Sequence, residues 1–113
     1  MKAALCVALL ALASPFAHAG GDADAGAEKS TACAACHGAD FNTPITPDIP
    51  VLAGQHEDYL ARALTDYKSG VRKSPVMGGQ AGPLSARDIQ DIAAYVSRKS
   101  GKLKVIPLHR LAQ

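Results

Sequence analysis

The sequence has no tryptophan and few other aromatic residues, only three tyrosines and two phenylalanines among 113 residues. A chain of this length supports one domain at most, and so few aromatic side chains leave its core short of bulk. Three cysteines are too few for a multi-disulfide scaffold, and a net charge of +2 gives no case for nucleic-acid binding. A cofactor, a metal or a partner is therefore expected to complete the core.

The first nineteen residues have the pattern of a secretory signal peptide. Lys2 precedes an apolar run over residues 3–13, and Ala17-His18-Ala19 matches the small-x-small cleavage rule. The run is too short to cross a bilayer, which takes roughly 20 residues, although an uncleaved anchor is the alternative. The sequence therefore predicts a signal peptide over residues 1–19 and export, to the periplasm if the cell is Gram-negative. No later segment is apolar enough to span a membrane.

The rest of the chain divides into a globular domain over residues 20–100 and a basic tail over residues 101–113. The domain is predicted to be all-α, with helices over about 22–36, 55–69 and 85–99. Gly70 is a stop signal after the second helix, and Ser85 with Asp88 forms a capping box at the start of the third. The second helix carries an apolar stripe at helical spacing, formed by Tyr59, Leu60, Ala63, Leu64 and Tyr67.

Two long segments between these helices are rich in glycine and proline. Residues 38–54 contain Pro44, Pro47 and Pro50, and residues 70–83 contain four glycines and two prolines. Such compositions disfavour helices, so both segments are predicted to be ordered loops. Loops longer than about 12–15 residues are usually functional in a compact domain, and we expect both to surround a site.

Cys33-Ala34-Ala35-Cys36-His37 is the strongest chemical signal in the sequence. C-x-x-C-H is the attachment sequence of c-type haem. Thiols three residues apart on a helix lie about one turn apart on one face, so Cys33 and Cys36 can form thioethers with the two vinyl groups of one porphyrin. His37 then binds the iron on the proximal side. One covalent haem c per chain would supply the bulk that the core lacks.

Two other uses of these residues stay open on the motif alone. A C-x-x-C redox pair suits an exported protein, but thioredoxin-like sites come with a βαβ pattern that this chain does not have. A structural zinc takes four ligands, and His56 or His109 would have to complete the set at poor spacing.

The sixth ligand of the iron decides the function. Met77 is the only methionine after the signal peptide, and it lies in the glycine-rich segment 74–79. Its thioether is a soft, neutral ligand that favours ferrous iron. A lone methionine is otherwise a filler of core gaps, and His56, His109 or an open position are the competing possibilities.

With these features the chain resembles a monohaem class I cytochrome c, and in particular one haem domain of the periplasmic c-four type cytochromes. The resemblance covers about residues 22–99 and implies a small class I fold, with three main helices and two ordered loops around one covalent haem. The matching residues are the haem motif with Gly38, the run Pro50-Val51-Leu52-Ala53-Gly54-Gln55 with Tyr59 and Leu60, Gly70 and Arg72, Met77 with Ala81, Leu84-Ser85, Asp88-Ile89, and Ala93-Ala94-Tyr95.

The resemblance also implies roles that spacing cannot show. The carbonyl of Pro50 would accept a hydrogen bond from the proximal histidine, with Pro44 and Pro47 as competitors. The first and last helices would cross closely where Gly26 meets the face around Tyr95. The haem would be lined by Leu52, Tyr59, Leu64 and Ile92, with Arg72 either at a haem propionate or an ordinary surface charge.

Charge is spread unevenly along the exported chain. Residues 20–66 carry eight acidic and two basic side chains, whereas residues 67–113 carry two acidic and nine basic ones. The asymmetry is either ordinary solvated surface or a dipole whose basic half steers an acidic redox partner to an exposed haem edge.

With both axial positions filled, an iron cannot readily bind substrate, so the sequence predicts a soluble periplasmic electron carrier rather than an enzyme. One alternative is a fixed electron-entry subunit of a dehydrogenase or oxidase complex, which would dock through the basic tail. The other is a peroxidase-like or gas-binding haem protein, which would need Met77 displaced and an acid–base residue such as His56.

Overall fold

A computed structural model describes residues 20–103 of the chain. The predicted signal peptide and residues 104–113 of the predicted tail, His109 among them, lie outside the described residues. The described part folds into helices without strands, which confirms the all-α class, and none of its helices is long and apolar enough to cross a membrane. The helices are α1 Ala23–Lys29, α2 Thr31–His37, α3 Glu57–Ser69, α4 Pro75–Ala81 and α5 Ala86–Ser97.

The first predicted helix is two helices in the structure. Asp22 caps α1, and its carboxylate accepts hydrogen bonds from the amides of Asp24 and Ala25. At Ser30 the backbone turns to φ −88° and ψ 3°, which ends α1 and starts α2. The Ser30 hydroxyl donates to the carbonyl of Ala27 at 3.1 Å, a local bond of the kind that competes with the helical ladder. The prediction of one continuous helix is therefore wrong at Ser30.

Helices α3 and α5 lie close to where the sequence predicts them. Gly70 follows α3 in the left-handed conformation, φ 78° and ψ 6°, and this is a backbone geometry that glycine adopts without strain. Ser85 and Asp88 form the predicted capping box: the Ser85 hydroxyl accepts from the Asp88 amide at 3.1 Å, and the Asp88 carboxylate accepts from the Ser85 amide at 2.9 Å. Local capping signals thus place both ends correctly.

The second predicted loop contains a short helix. Helix α4 lies inside the segment 70–83, which the sequence analysis assigned entirely to loop. The hydroxyl of Ser74 accepts from the amide of Met77 at 3.2 Å, and Pro75 occupies the first turn, where a missing N–H costs nothing. The prediction of an all-loop segment is wrong because this cap and proline start a helix that Gly78 and Gly79 weaken without preventing it.

Helices α1 and α5 cross at very close range, as the resemblance implies. A Cβ placed on Gly26 would meet the carbonyl of Asp91 and lie 2.9 Å from Cβ of Tyr95, so only glycine permits this approach. Helix α3 packs against α5 and α4. The buried core between these elements is made of small and aliphatic residues with a single aromatic ring: Phe41, Ala53, Leu60, Ala61, Ile89, Ile92, Ala93 and Val96.

Candidate functional site

An apolar cavity of about 300 Å³ is enclosed by residues of α2, α3, α4, α5 and the segment after α2. Besides cysteine, histidine and methionine, Gln80 is the only lining residue with a polar side chain. The lining residues are Ala32, Cys33, Ala35, Cys36, His37, Phe41, Leu52, Leu60, Leu64, Val76, Met77, Gln80, Ile92, Ala93 and Val96. The cavity therefore brings the predicted haem motif and Met77, forty residues later in the chain, to one apolar space.

The two thiols of the motif lie on α2 and both face this cavity. Cys33 and Cys36 are partly buried free cysteines. Burial in the apolar wall raises the pKa of the Cys33 thiol, which keeps that thiol neutral. Two thiols one helical turn apart at the edge of an apolar space suit the covalent attachment of a flat apolar group.

His37, the last residue of α2, is buried, and its Nδ1 lies 2.9 Å from the carbonyl oxygen of Pro50. A carbonyl oxygen can only accept, so Nδ1 carries the ring proton and donates it to Pro50. Nε2 then keeps its lone pair and can bind a metal. This is the contact that the resemblance implies for Pro50, and neither Pro44 nor Pro47 forms it.

Met77 lines the same cavity from α4. Its backbone is fixed by the Ser74 cap described above, since that hydroxyl accepts directly from the Met77 amide. A metal ion held by protein side chains alone finds no support, because residues 20–103 contain no group of three or more His, Cys, Asp and Glu side chains that could hold one. The structural zinc site left open by the motif therefore has no ligand set in this part of the chain.

The other expected cavity residues divide into two groups. Leu52, Leu64 and Ile92 line the cavity. Tyr59 does not line the cavity, and its side chain is 48% exposed, so the structure does not place it beside the other residues expected to contact the haem. Adjacent positions on a helix point about 100° apart, and Leu60 takes the inward direction in its place.

Arg72 also lies outside the cavity wall, on the exposed surface. Its Nη1 donates to the hydroxyl of Tyr59 over 3.4 Å, and its guanidinium lies over the ring of Tyr67, 4.8 Å from the centroid. His56, offered above as a competing ligand, precedes α3 as its N-cap residue and is likewise absent from the cavity wall.

Phe41 is a cavity residue that the sequence analysis missed. It is 1% exposed and has φ 55°, a backbone geometry that non-glycine residues rarely adopt. Its carbonyl accepts from the amides of Leu52 and Ala53 at 2.9 and 2.8 Å, and its ring meets that of Tyr95 edge-on with centroids 6.1 Å apart. The sequence did contain one indication of this role: Phe41 is the only phenylalanine after the predicted signal peptide.

Residues 23–99 match the family model of cytochrome c. The chain belongs to the cytochrome c family. It is 46% identical over 97 residues to cytochrome c4 of Stutzerimonas stutzeri, an alignment that covers 78% of this chain and 46% of that protein. The crystal structure of reduced recombinant cytochrome c4 from Pseudomonas stutzeri matches with a TM-score of 0.68 at 44% identity, over 74% of this chain and 48% of that one. The chain thus spans about half the length of the cytochromes c4 that it matches.

Two smaller relatives of this cytochrome c cover more of their own length. Cytochrome c-554(548) of Halomonas halodenitrificans is 44% identical over 80 residues, which is 68% of this chain and 95% of that protein. The cytochrome subunit of sulfide dehydrogenase from Chlorobaculum tepidum is 40% identical over 73 residues, which is 65% of this chain and 64% of that protein.

Family membership implies covalently bound haem c, and the cavity fits that group. Cys33 and Cys36 have the spacing at which c-type haem is attached, both face the cavity, and the remaining wall is almost wholly apolar. His37 presents a ring nitrogen that is free to bind a metal. The redox-pair alternative is set aside, because the chain has the cytochrome c fold and no βαβ unit in the part described.

Proposed function

We propose that this cytochrome c is a periplasmic one-electron carrier whose haem iron is ligated by His37 and Met77. The observation that carries the proposal is that an imidazole and a thioether line one cavity together with the two attachment thiols. The chain itself would therefore supply two ligands to the iron, an imidazole and a thioether, and a substrate would have to displace one of them to reach it. Haem c, when bound, supplies the Fe(II)/Fe(III) couple.

Each side chain has a separate task in this proposal. Cys33 and Cys36 hold the cofactor by thioethers. His37 binds through Nε2, and the hydrogen bond from its Nδ1 to Pro50 orients the ring and makes it a stronger donor. Met77 supplies a soft, neutral ligand that stabilises the ferrous state and so raises the reduction potential.

The optical spectrum of the purified holoprotein tests the proposal. The ferric protein is expected to show the weak near-infrared band of methionine ligation, and the ferrous protein is expected to resist carbon monoxide. Absence of that band together with ready binding of carbon monoxide or cyanide would overturn the carrier function. It would instead support the peroxidase-like or gas-binding alternative. That alternative needs an acid–base residue near the iron, and His56, the residue suggested for this role, does not line the cavity.

We further propose that an acidic partner protein docks at the cavity edge near α4. Val76 lines the cavity and is 67% exposed, and Val71 is 75% exposed. Between α3 and α4 lie the basic side chains Arg72 and Lys73, with Lys68 at the end of α3. Small apolar contacts with a basic surround suit the weak, steered encounters of redox proteins.

The pattern of ion pairs among the described residues supports the cavity edge near α4 as the docking site. Each of them involves Asp88 or Asp91, which bind Lys29 and Arg87. These two carboxylates are the only acidic residues in the chain after residue 66. Because they are engaged at the crossing of α1 and α5, the bases near α4 are left to attract a partner.

A second candidate function is a fixed electron-entry subunit, favoured by the likeness to the cytochrome subunit of a sulfide dehydrogenase. The start of the tail is bound to the segment 38–54 that follows α2, because the amide of Lys102 donates to Asn42 Oδ1 at 2.7 Å. Truncation after Leu103 keeps this bond and removes the rest of the tail. A subunit is expected to lose copurification with its complex while retaining haem, whereas a carrier is expected to reduce its partner at an unchanged rate.

Export and the domain limits are part of the same proposal, with residues 1–19 as signal peptide, 20–100 as the haem domain and 101–113 as the tail. The residues that follow the proposed cleavage site are bound to the domain, since the amide of Asp22 donates to Asp91 Oδ1 at 2.7 Å. The intact mass of the exported holoprotein is expected to correspond to a chain starting at Gly20. A mass that includes the apolar run would overturn cleavage and support an anchor.

A further inference from the structure

Helix α4, which carries Met77, is attached to α3 on both sides. Before α4, Arg72 contacts two tyrosines of α3. After α4, the ammonium of Lys68 on α3 lies 2.7 Å from the carbonyl oxygen of Gly82, the C-cap residue of α4. We call these contacts the Arg72 anchor and the Lys68 anchor.

The Arg72 anchor consists of three contacts. The guanidinium lies over the ring of Tyr67 at 4.8 Å from the centroid, a favourable cation–π distance. Nη1 donates to the hydroxyl of Tyr59 over 3.4 Å. The amide of Arg72 donates to the carbonyl of Asp66 at 3.0 Å. The chain is therefore fixed to α3 only two residues before Ser74, the residue that caps α4.

The Lys68 anchor satisfies a carbonyl at the other end of α4. The last carbonyls of a helix have no partner within it, and a cation there is favoured by the helix dipole as well. Gly82 itself still belongs to the end of the helix, since its amide donates to the carbonyl of Gly78 at 2.9 Å. Lys68 thus binds the segment to α3 across fourteen residues of sequence.

Apart from its packing against α3, helix α4 has few contacts of its own that hold it in place. It is seven residues long, two of them are the poor helix formers Gly78 and Gly79, and Ala81 is its only buried residue. Segments with few buried contacts open locally at low cost, without unfolding of the rest of the domain. The position of Met77 therefore depends on contacts at the ends of α4.

We propose that Lys68 and Arg72 are positioning residues that keep Met77 at the haem iron by tying α4 to α3. The inference rests on the proposed ligation by Met77 and adds the contacts that control how firmly that ligand is held. Loss of either anchor raises the fraction of molecules in which α4 has moved and the sixth position is open.

Cyanide binding to the ferric holoprotein measures that open fraction, because cyanide must replace Met77. The variants are Lys68→Ala, Arg72→Ala and the double variant. Arg62→Ala is the control, since it removes an exposed positive charge from α3 outside the docking edge, and Arg62 has no side-chain hydrogen bond or ion pair to residues 20–103. Each anchor variant is expected to bind cyanide about two- to fivefold faster than wild type, the range for an exposed cation contact. The double variant should bind cyanide faster than either single variant, and Arg62→Ala should match wild type.

Two further measurements separate positioning from other effects. Lys68→Arg keeps a cation that can reach Gly82 and is expected to restore the wild-type rate. The helical circular dichroism of every variant should stay close to that of wild type, since only α4 is loosened. Cyanide binding by the anchor variants no faster than by Arg62→Ala, or loss of the helical signal of the whole domain, would overturn the inference. A wild-type protein without the near-infrared methionine band would instead overturn the proposed ligation itself.

Discussion

Lys29 on α1 and Asp91 on α5 form an ion pair with 2.7 Å between Nζ and Oδ2, and the Asp91 side chain is 2% exposed. The other oxygen of the same carboxylate accepts from the amide of Asp22 at 2.7 Å and forms an ion pair with Nε of Arg87 over 3.0 Å. A buried carboxylate is tolerated when its oxygens are bonded in this way. Asp91 therefore joins the first residues of the domain and the end of α1 to the last helix.

The holoprotein is expected to lose stability in acid because of this carboxylate. Hydrogen bonds from Lys29, and next from the amide of Asp22, hold the pKa of Asp91 below its usual range, and Lys29 with Ser85 does the same for the pKa of Asp88. A carboxyl group whose pKa is lower in the folded chain stabilises the fold fully above its unfolded pKa of about 4. That stabilisation is lost as the pH falls through the folded pKa, so the free energy of unfolding should decline below about pH 4.

Denaturant titrations of wild type and Asp91→Asn at several pH values test this expectation. The variant should be less stable than wild type at neutral pH, and the difference should shrink as the pH falls below about 4. Asp58→Asn is the control, because Asp58 is exposed and forms no ion pair within residues 20–103. A difference between wild type and Asp91→Asn that stays constant with pH would contradict the assignment to Asp91.

The close crossing of α1 and α5 predicts a strong response to one methyl group. Gly26→Ala would place its Cβ against the carbonyl of Asp91, and the helices must separate, which costs about 1–3 kcal/mol in free energy of unfolding. Gly79→Ala is the matched control on α4, where no atom lies within 4 Å of the added Cβ. Thermal unfolding of both holoproteins checks this, with a lower Tm expected for the first variant only.

Local signals allowed correct predictions from sequence wherever they decide the conformation by themselves. The capping box of Ser85 and Asp88 and the left-handed Gly70 both appear where expected, because each depends on residues within one helical turn. The C-x-x-C-H motif is local in the same sense. These signals were enough for the fold class, for α3 and α5, and for the cofactor.

Features that depend on tertiary packing could not be predicted from the sequence. Tyr59 and Leu60 both fit the apolar stripe of α3, and only the position of the cavity selects Leu60 for the interior. Phe41 lines the cavity, and its backbone has a left-handed conformation that no sequence pattern predicts. In the short helix α4, the cap at Ser74 favours helix formation and two glycines oppose it. The two effects are similar in size, so helix propensity alone does not predict whether this helix forms.

Replacement of Met77 by alanine is expected to lower the reduction potential and open the sixth position. Without the thioether the ferrous state loses its preferred ligand, and a shift on the order of 0.1 V is modest within the about 0.8 V range that haem ligands cover. Redox titration and cyanide binding measure the two effects. Val76→Ala trims the neighbouring cavity residue and should leave the near-infrared methionine band in place. An unchanged potential in Met77→Ala would exclude Met77 as the ligand.

Removal of both attachment thiols is expected to leave a largely unfolded chain. Within residues 20–103 the central core cluster contains three alanines and a single aromatic ring, so we expect that the cavity walls cannot close on one another without the cofactor. The variant Cys33→Ala/Cys36→Ala, exported in the same way, should lack most of the helical circular dichroism of the holoprotein. Helical signal and a cooperative thermal transition equal to those of wild type would show that the core is complete without haem.

Electron transfer to an acidic partner is expected to slow as salt is added. Among residues 20–103, the bases near α4 form no ion pair, because every ion pair there joins Asp88 or Asp91 to Lys29 or Arg87. Charges on the surface act over a Debye length of about 10 Å at 0.1 M salt and about 3 Å at 1 M. The bimolecular rate with a small acidic redox protein should therefore fall by about tenfold or more between low and high salt.

Two variants test whether the bases near α4 cause this salt dependence. Lys73→Gln should lower the rate at low salt and weaken its dependence on salt. Arg62→Gln, on the exposed surface of α3 beside Asp58 and Asp66, should do neither. A salt-independent rate in wild type would mean that the uneven charge is ordinary surface with no part in docking.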